Sequence, residues 1–112
     1  MKYYHNPRCA KSREGLALLK EKGLAPQIVE YLKEPLTPQE LSSLVGKLGL
    51  SAKELIRTSE KIWKEEFKGK ELSEEELVLA MIEHPKLMQR PILEKEDKAA
   101  LGRPPKNLLQ IV

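Results

Sequence analysis

The chain has 112 residues, with 20 basic and 17 acidic side chains and a net charge of +3, which fits one domain with one core. Charge this evenly mixed, with no long block of one sign, argues against nucleic-acid binding, and no apolar run approaches the roughly 18 residues that span a bilayer. A single cysteine excludes an internal disulfide and, beside two histidines, leaves too few ligands for a structural zinc site.

The opening Met1-Lys2 runs straight into Tyr3 and Tyr4, without the apolar core of a signal peptide. A cytoplasmic protein is therefore expected. Lys2 to His5 is a short β-prone run. Cys9 to Glu21 follows as a helix, with Leu16, Leu18 and Leu19 on it and Gly23 as its stop. Pro26 to Leu32, holding Ile28, Val29 and Tyr31, predicts a second strand. Such a β-α-β unit implies a right-handed crossover and parallel strands.

Residues 37 to 83 then read as helical almost throughout. Thr37 with Glu40, Ser51 with Glu54 and Ser73 with Glu76 each form a capping-box pattern, and Pro38 occupies a favoured first helical position. Leu41, Leu44, Val45 and Leu48 make an apolar stripe. Ile62, Trp63 and Phe67 supply a further short helix. Glu34-Pro35 and His84-Pro85 bracket the region, because the residue before proline is pushed out of the helical well.

Beyond it, Arg90 to Leu93 and Lys98 to Leu101 flank a charged turn, Glu94 to Asp97, and predict a hairpin. Gly102-Arg103-Pro104-Pro105 leads into a terminal helix, Lys106 to Ile111. The order is β-α-β, helical insert, β-β, α. Residues 1–32 and 88–112 would form the core and 33–87 the insert. Without the insert, this is a minimal thioredoxin-like order.

Cys9 lies where the first helix begins, and three features there favour its thiolate. Unpaired N–H groups and the positive dipole end stabilise an anion. His5, four residues earlier, could donate a hydrogen bond or carry a proton. Arg8 and Lys11 add positive charge. The bland alternatives are an inert buried cysteine and a structural histidine. Cys9-Ala10-Lys11-Ser12 is a C-x-x-S spacing. It sets a hydroxyl in the first helical turn, to steady a thiolate or to cap the helix. A phosphatase-type loop would need an arginine six positions after the nucleophile, where this chain has Gly15; Arg13 comes too soon.

Four separated motifs, HNPRCAKSR, LIRTSEK, HPKLMQRPI and LGRPPKNLL, resemble in order and spacing the glutaredoxin-coupled arsenate reductases. The resemblance runs from Tyr3 to Leu109. It implies a thioredoxin-like, four-stranded mixed sheet with a helical insertion between the second and third strands. By position, Cys9 matches the nucleophile, His5 the histidine that supports it, and Ser12 a serine of the active loop. Arg57, Arg90 and Arg103 match the three arginines that hold the oxyanion, and Pro91 matches a cis-proline. Guanidinium forks suit a tetrahedral anion carrying up to two charges. Longer members carry a C-terminal extension beyond the point where this chain stops, at Val112, so the chain resembles a short form.

The resemblance implies a reaction in which Cys9 attacks arsenate, glutathione reduces the arsenic as co-substrate, and a glutaredoxin clears the Cys9 adduct. No tightly bound cofactor and no metal are implied. Two alternatives stand beside it. One is a glutathione-dependent monothiol reductase of another substrate. The other is a non-enzymatic, Spx-like partner of RNA polymerase, against which Ser12 and Arg103 speak, since Spx proteins usually carry C-x-x-C and lack the last arginine.

Overall fold

The computed structural model describes residues Met1–Val112 and divides the chain into two compact units, Met1–Glu34 with Arg90–Val112, and Pro35–Gln89. Each boundary falls two residues later than the division expected from the sequence. At the first, the N–H groups of Lys33 and Glu34 both bond to the Glu30 carbonyl (2.9 and 2.8 Å), closing a turn that belongs to the end of the second strand. At the second, the Gln89 N–H bonds to the Leu55 carbonyl (2.8 Å) and stays with the helices.

The first unit holds a four-stranded mixed sheet. Its strands are β1 (Lys2–Tyr4), β2 (Gln27–Val29), β3 (Ile92–Lys95) and β4 (Lys98–Leu101), in the order β2-β1-β3-β4. β1 pairs in parallel with β2, and β3 is antiparallel to both β1 and β4. The parallel pair needs a crossover, which helix α1 (Ala10–Glu21) supplies. The hairpin turn is tighter than expected: Lys95 pairs with Lys98, leaving Glu96 and Asp97 to reverse the chain. Glu96 takes a left-handed φ of 57° to do so, an uncommon conformation away from glycine.

Tyr3, Leu19, Leu93, Ala100 and Leu108 form the core between the sheet, α1 and the terminal helix. That last helix, Pro105–Ile111, is a 3-10 helix. Two successive prolines remove two N–H donors at its start, and the Asn107 N–H bonds three residues back to the Pro104 carbonyl (3.0 Å).

The second unit is helical. It comprises α2 (Pro38–Leu48), α3 (Ala52–Leu55), a π-helical turn (Trp63–Phe67), α4 (Glu74–Glu83) and a 3-10 turn (Pro85–Leu87). All three capping boxes are complete, each with both of its reciprocal bonds. The bond from the Lys68 N–H to the Trp63 carbonyl (2.9 Å) closes the π turn. No helix is long and apolar enough to cross a membrane, and no cluster of metal-ligating side chains is present.

Candidate active site

The loop between β1 and α1 is fixed by its own backbone and by one buried serine. Asn6-Pro7-Arg8-Cys9 is a turn, in which the Cys9 N–H bonds to the Asn6 carbonyl (3.0 Å) and the Arg8 N–H bonds to Asn6 Oδ1 (3.1 Å). Proline presets the backbone angle for the second position of such a turn. Ser12, fully buried, receives three groups. The Asn6 N–H donates to its Oγ (3.0 Å), His5 Nδ1 lies 2.7 Å from the same Oγ, and the Tyr3 hydroxyl donates to its carbonyl (2.6 Å).

Cys9 is the N-cap residue of α1, with extended backbone angles (φ −94°, ψ 124°). A cap usually offers an oxygen to the N–H groups of the second and third helical residues. Here those residues are Lys11 and Ser12, and as a neutral thiol Cys9 makes no cap bond. Burial pushes the Cys9 thiol up. The Ser12 backbone N–H, the charge and hydrogen bond of Arg90, and the Lys11 N–H outweigh it and hold the thiol below its ordinary value. The ionised sulfur is therefore the natural cap of its own helix.

Arg90 has two nitrogens, Nε and Nη1, that are buried without a hydrogen-bond partner. Its interaction with Cys9 does not satisfy them. Buried guanidinium donors without acceptors are costly, and a multi-oxygen anion beside the sulfur has the chemistry to complete them. Arg103, exposed, is tied to the same segment, since its Nε donates to the Arg90 carbonyl (2.9 Å).

Arg90-Pro91 is a cis peptide, as is Arg103-Pro104. Pro91 is wedged between two glycines. A Cβ at Gly102 would come within 2.7 Å of Pro91 Cγ, and one at Gly15 would strike the Tyr3 hydroxyl and lie 3.2 Å from Pro91 Cγ. Both positions need glycine for close approach rather than for unusual backbone angles. The Pro91 carbonyl in turn accepts the Gly102 N–H (2.8 Å).

Burial first, and then the positive charges of Lys20 and Arg13, lower the His5 pKa against an opposing pull from Glu30. His5 is thus a neutral ring near neutral pH, and its Nδ1 faces the Ser12 hydroxyl. Of the residues singled out in the sequence, the structure brings His5, Cys9, Ser12, Arg90, Pro91 and Arg103 into the first unit. Arg57 stands in the helical unit, where its N–H bonds to the Leu87 carbonyl (2.7 Å) beside the Ile56–Met88 bridge and its Nη1 lies 3.6 Å from Glu60 Oε2. Tyr3, Asn6 and the pair Gly15–Gly102 were not anticipated. Tyr3 reads in the sequence only as a strand former, and its bond to the active loop is a long-range contact that no local pattern carries.

A mixed sheet of order β2-β1-β3-β4, with a cysteine at the N-cap position of the first helix, defines a thioredoxin-like protein. More narrowly, the chain belongs to the ArsC family, whose model matches residues 4–111. It is 50% identical over its full length, and 96% of the relative's, to the uncharacterized protein YfgD of Escherichia coli. It is 43% identical to an arsenate reductase of Haemophilus influenzae, covering 97% of this chain and 96% of that one. Among solved structures, an arsenate reductase from Vibrio cholerae superposes with a TM-score of 0.95 at 44% identity, over 100% of this chain and 98% of that one.

Proposed function

We propose that the protein is an arsenate reductase of the glutathione- and glutaredoxin-dependent type, working through Cys9 as its single nucleophile. The observation that carries this reading is the pairing of a thiol held below its ordinary pKa with two unsatisfied buried donors of Arg90. The relatives named arsenate reductase support the choice of oxyanion.

In the proposed reaction the Cys9 thiolate attacks the arsenic of arsenate. A sulfur–arsenic bond forms and hydroxide leaves, taking up a proton as water. Arg90 and Arg103 offset the anion's charge. Arg57 is assigned to the same anion by the family resemblance. A glutathione thiolate next attacks the Cys9 sulfur. A sulfur–sulfur bond forms, and the electron pair of the broken sulfur–arsenic bond goes to arsenic, giving arsenite. The thiolate of a glutaredoxin then attacks the glutathione sulfur and releases Cys9. Ser12 and His5 position the loop, and the neutral His5 ring is available to exchange a proton through the Ser12 hydroxyl.

The test is arsenate-dependent NADPH oxidation coupled through glutaredoxin and glutathione reductase. Turnover that needs arsenate, glutathione and Cys9 together supports the reading. Arsenate-independent exchange of Cys9 with oxidised glutathione, without any arsenate turnover, would instead mark a monothiol reductase of another substrate.

A further inference from the structure

Tyr3 is fully buried in the core of the first unit, yet its hydroxyl reaches out of that core into the first turn of α1. There it donates to the Ser12 carbonyl (2.6 Å). We propose that Tyr3 is a positioning residue for the reaction at Cys9: its hydroxyl holds the peptide units of that turn so that the Ser12 N–H stays aimed at the sulfur. The proposal rests on Cys9 being the nucleophile and is independent of which oxyanion it attacks.

Geometry carries the assignment. Tyr3 and His5 stand two residues apart on one extended segment, so their side chains leave the same face, with ring centroids 5.5 Å apart. Both end on Ser12. His5 Nδ1 meets its hydroxyl (2.7 Å), and Tyr3 meets its carbonyl. The peptide that carries this carbonyl also carries the Arg13 N–H, which donates to the Cys9 carbonyl (3.0 Å). The bonds therefore run in series, from the Tyr3 hydroxyl through one peptide to the backbone of Cys9, and each bond in such a chain polarises the next. With the Asn6 N–H also on its Oγ (3.0 Å), Ser12 is gripped through hydroxyl and carbonyl alike. Its own N–H is left for the Cys9 sulfur, whose thiolate it stabilises against the cost of burial.

The hydroxyl keeps its donor role throughout the range in which the thiol titrates. Burial first, with the charge of Cys9 adding to it, pushes the Tyr3 hydroxyl up, and the bonds with Ser12 and Leu16 offset only part of the rise. Tyr3 thus stays protonated while Cys9 ionises. The fold also makes room for it. A Cβ at Gly15 would strike the Tyr3 hydroxyl, so tyrosine at one position and glycine at the other are matched choices that let α1 come this close. A phenylalanine would fill the same core space without a hydroxyl to bury, so what the hydroxyl bonds is what accounts for it.

The test compares Y3F with Y4F in the full chain. Tyr4 is the next residue on β1 and is also buried, and its hydroxyl donates to Glu94 Oε1 (2.7 Å) on the opposite face of the sheet. Each variant deletes one hydroxyl and keeps its ring. Iodoacetamide rates for Cys9 across pH 5 to 10 should show the Y3F midpoint raised by about half a pH unit or more, which is about a threefold loss of thiolate at pH values below it. Y4F should leave the midpoint in place. In parallel, the Ser12 backbone amide proton should move in NMR spectra as Cys9 ionises in the parent, and that movement should shrink in Y3F. A structural role alone would lower stability without moving the Cys9 midpoint. Equal midpoints in Y3F and the parent, or an equal rise in Y3F and Y4F, overturns the proposal, as does a Ser12 amide that follows Cys9 ionisation alike in parent and Y3F. A parent midpoint at the free-cysteine value would instead remove the nucleophile reading and this proposal with it, so the two failures are told apart.

Discussion

His5 Nδ1 and Ser12 Oγ lie 2.7 Å apart across the Cys9 loop, and both residues are buried. The same Oγ accepts the Asn6 N–H, so the loop that presents Cys9 hangs on one hydroxyl and one neutral imidazole. A charged ring would lose more than it gained in this position. Burial, Lys20 and Arg13 all disfavour it.

This relationship gives a pH dependence of stability. A histidine whose folded pKa is depressed binds its proton more readily in the unfolded chain. Its contribution is therefore fully present above the unfolded value of about 6.5 and declines as pH falls below it. Stability measured by urea unfolding should drop between pH 7 and pH 5, and H5N should remove part of that drop. The lowered carboxyls of Glu54 and Glu76 act only at lower pH, as they protonate. Parallel curves for the parent and H5N across this window would show that His5 titrates alike in both states.

Cys9 should alkylate with a midpoint below the free-cysteine value of about 8.5. R90A removes both a charge and a hydrogen bond from the sulfur and should raise the midpoint by about one pKa unit or more. S12A keeps the backbone N–H that faces the sulfur, so its effect should be the smaller of the two. H5A should also raise the midpoint, through the loop. Iodoacetamide rates across pH 5 to 10 decide the matter, and a parent midpoint at or above the free value would refute the nucleophile assignment.

Anion binding should depend on the arginines. Replacing Arg90, Arg103 or Arg57 by Ala should each weaken arsenate or sulfate binding by about 1.5–3 kcal/mol, the range for a hydrogen bond to a charged group. Titration calorimetry reads this directly. Unchanged affinity in R57A would remove Arg57 from the anion's ligands while leaving Arg90 and Arg103 in place.

Tyr3 should matter to the active loop although it touches no reacting atom. Y3F removes the Tyr3 hydroxyl's bond to the Ser12 carbonyl, which also accepts within α1, at a cost of about 0.5–1.5 kcal/mol. G15A should cost at least as much, because the added methyl meets the Tyr3 hydroxyl, Leu108 and Pro91 in a space already filled. Shifts in the urea midpoint, with unchanged slope, would measure both.

Mass spectrometry of protein treated with arsenate and glutathione should show one glutathione adduct, on Cys9, that glutaredoxin removes. The count is set by the single cysteine. Full turnover with thioredoxin as the only reductant, and no glutathione, would contradict the scheme, since no second thiol in the chain could release the product.

Much of the architecture is local information and was legible in the residues. Thr37/Glu40, Ser51/Glu54 and Ser73/Glu76 cap their helices through contacts three residues apart, so the pattern and the bond are nearly the same statement. The alternation of strand and helix before residue 35 and the hairpin after residue 90 likewise follow from short-range periodicity, and the helix start at Cys9 carries its own electrostatics. The π turn at Trp63–Phe67 and the 3-10 form of the last helix were not legible, because i→i+3, i→i+4 and i→i+5 bonding share similar apolar spacings and are separated only by packing. The site's connections lie on the tertiary side as well. Tyr3 to Ser12 and Arg103 to Arg90 join segments 9 and 13 residues apart, and Pro91 meets Gly15 from the far end of the chain. That His5 turns to a serine hydroxyl, and that two donors of Arg90 are buried beside a thiol, depend on where water is excluded. Exclusion of water belongs to the assembled fold and has no counterpart in residue order.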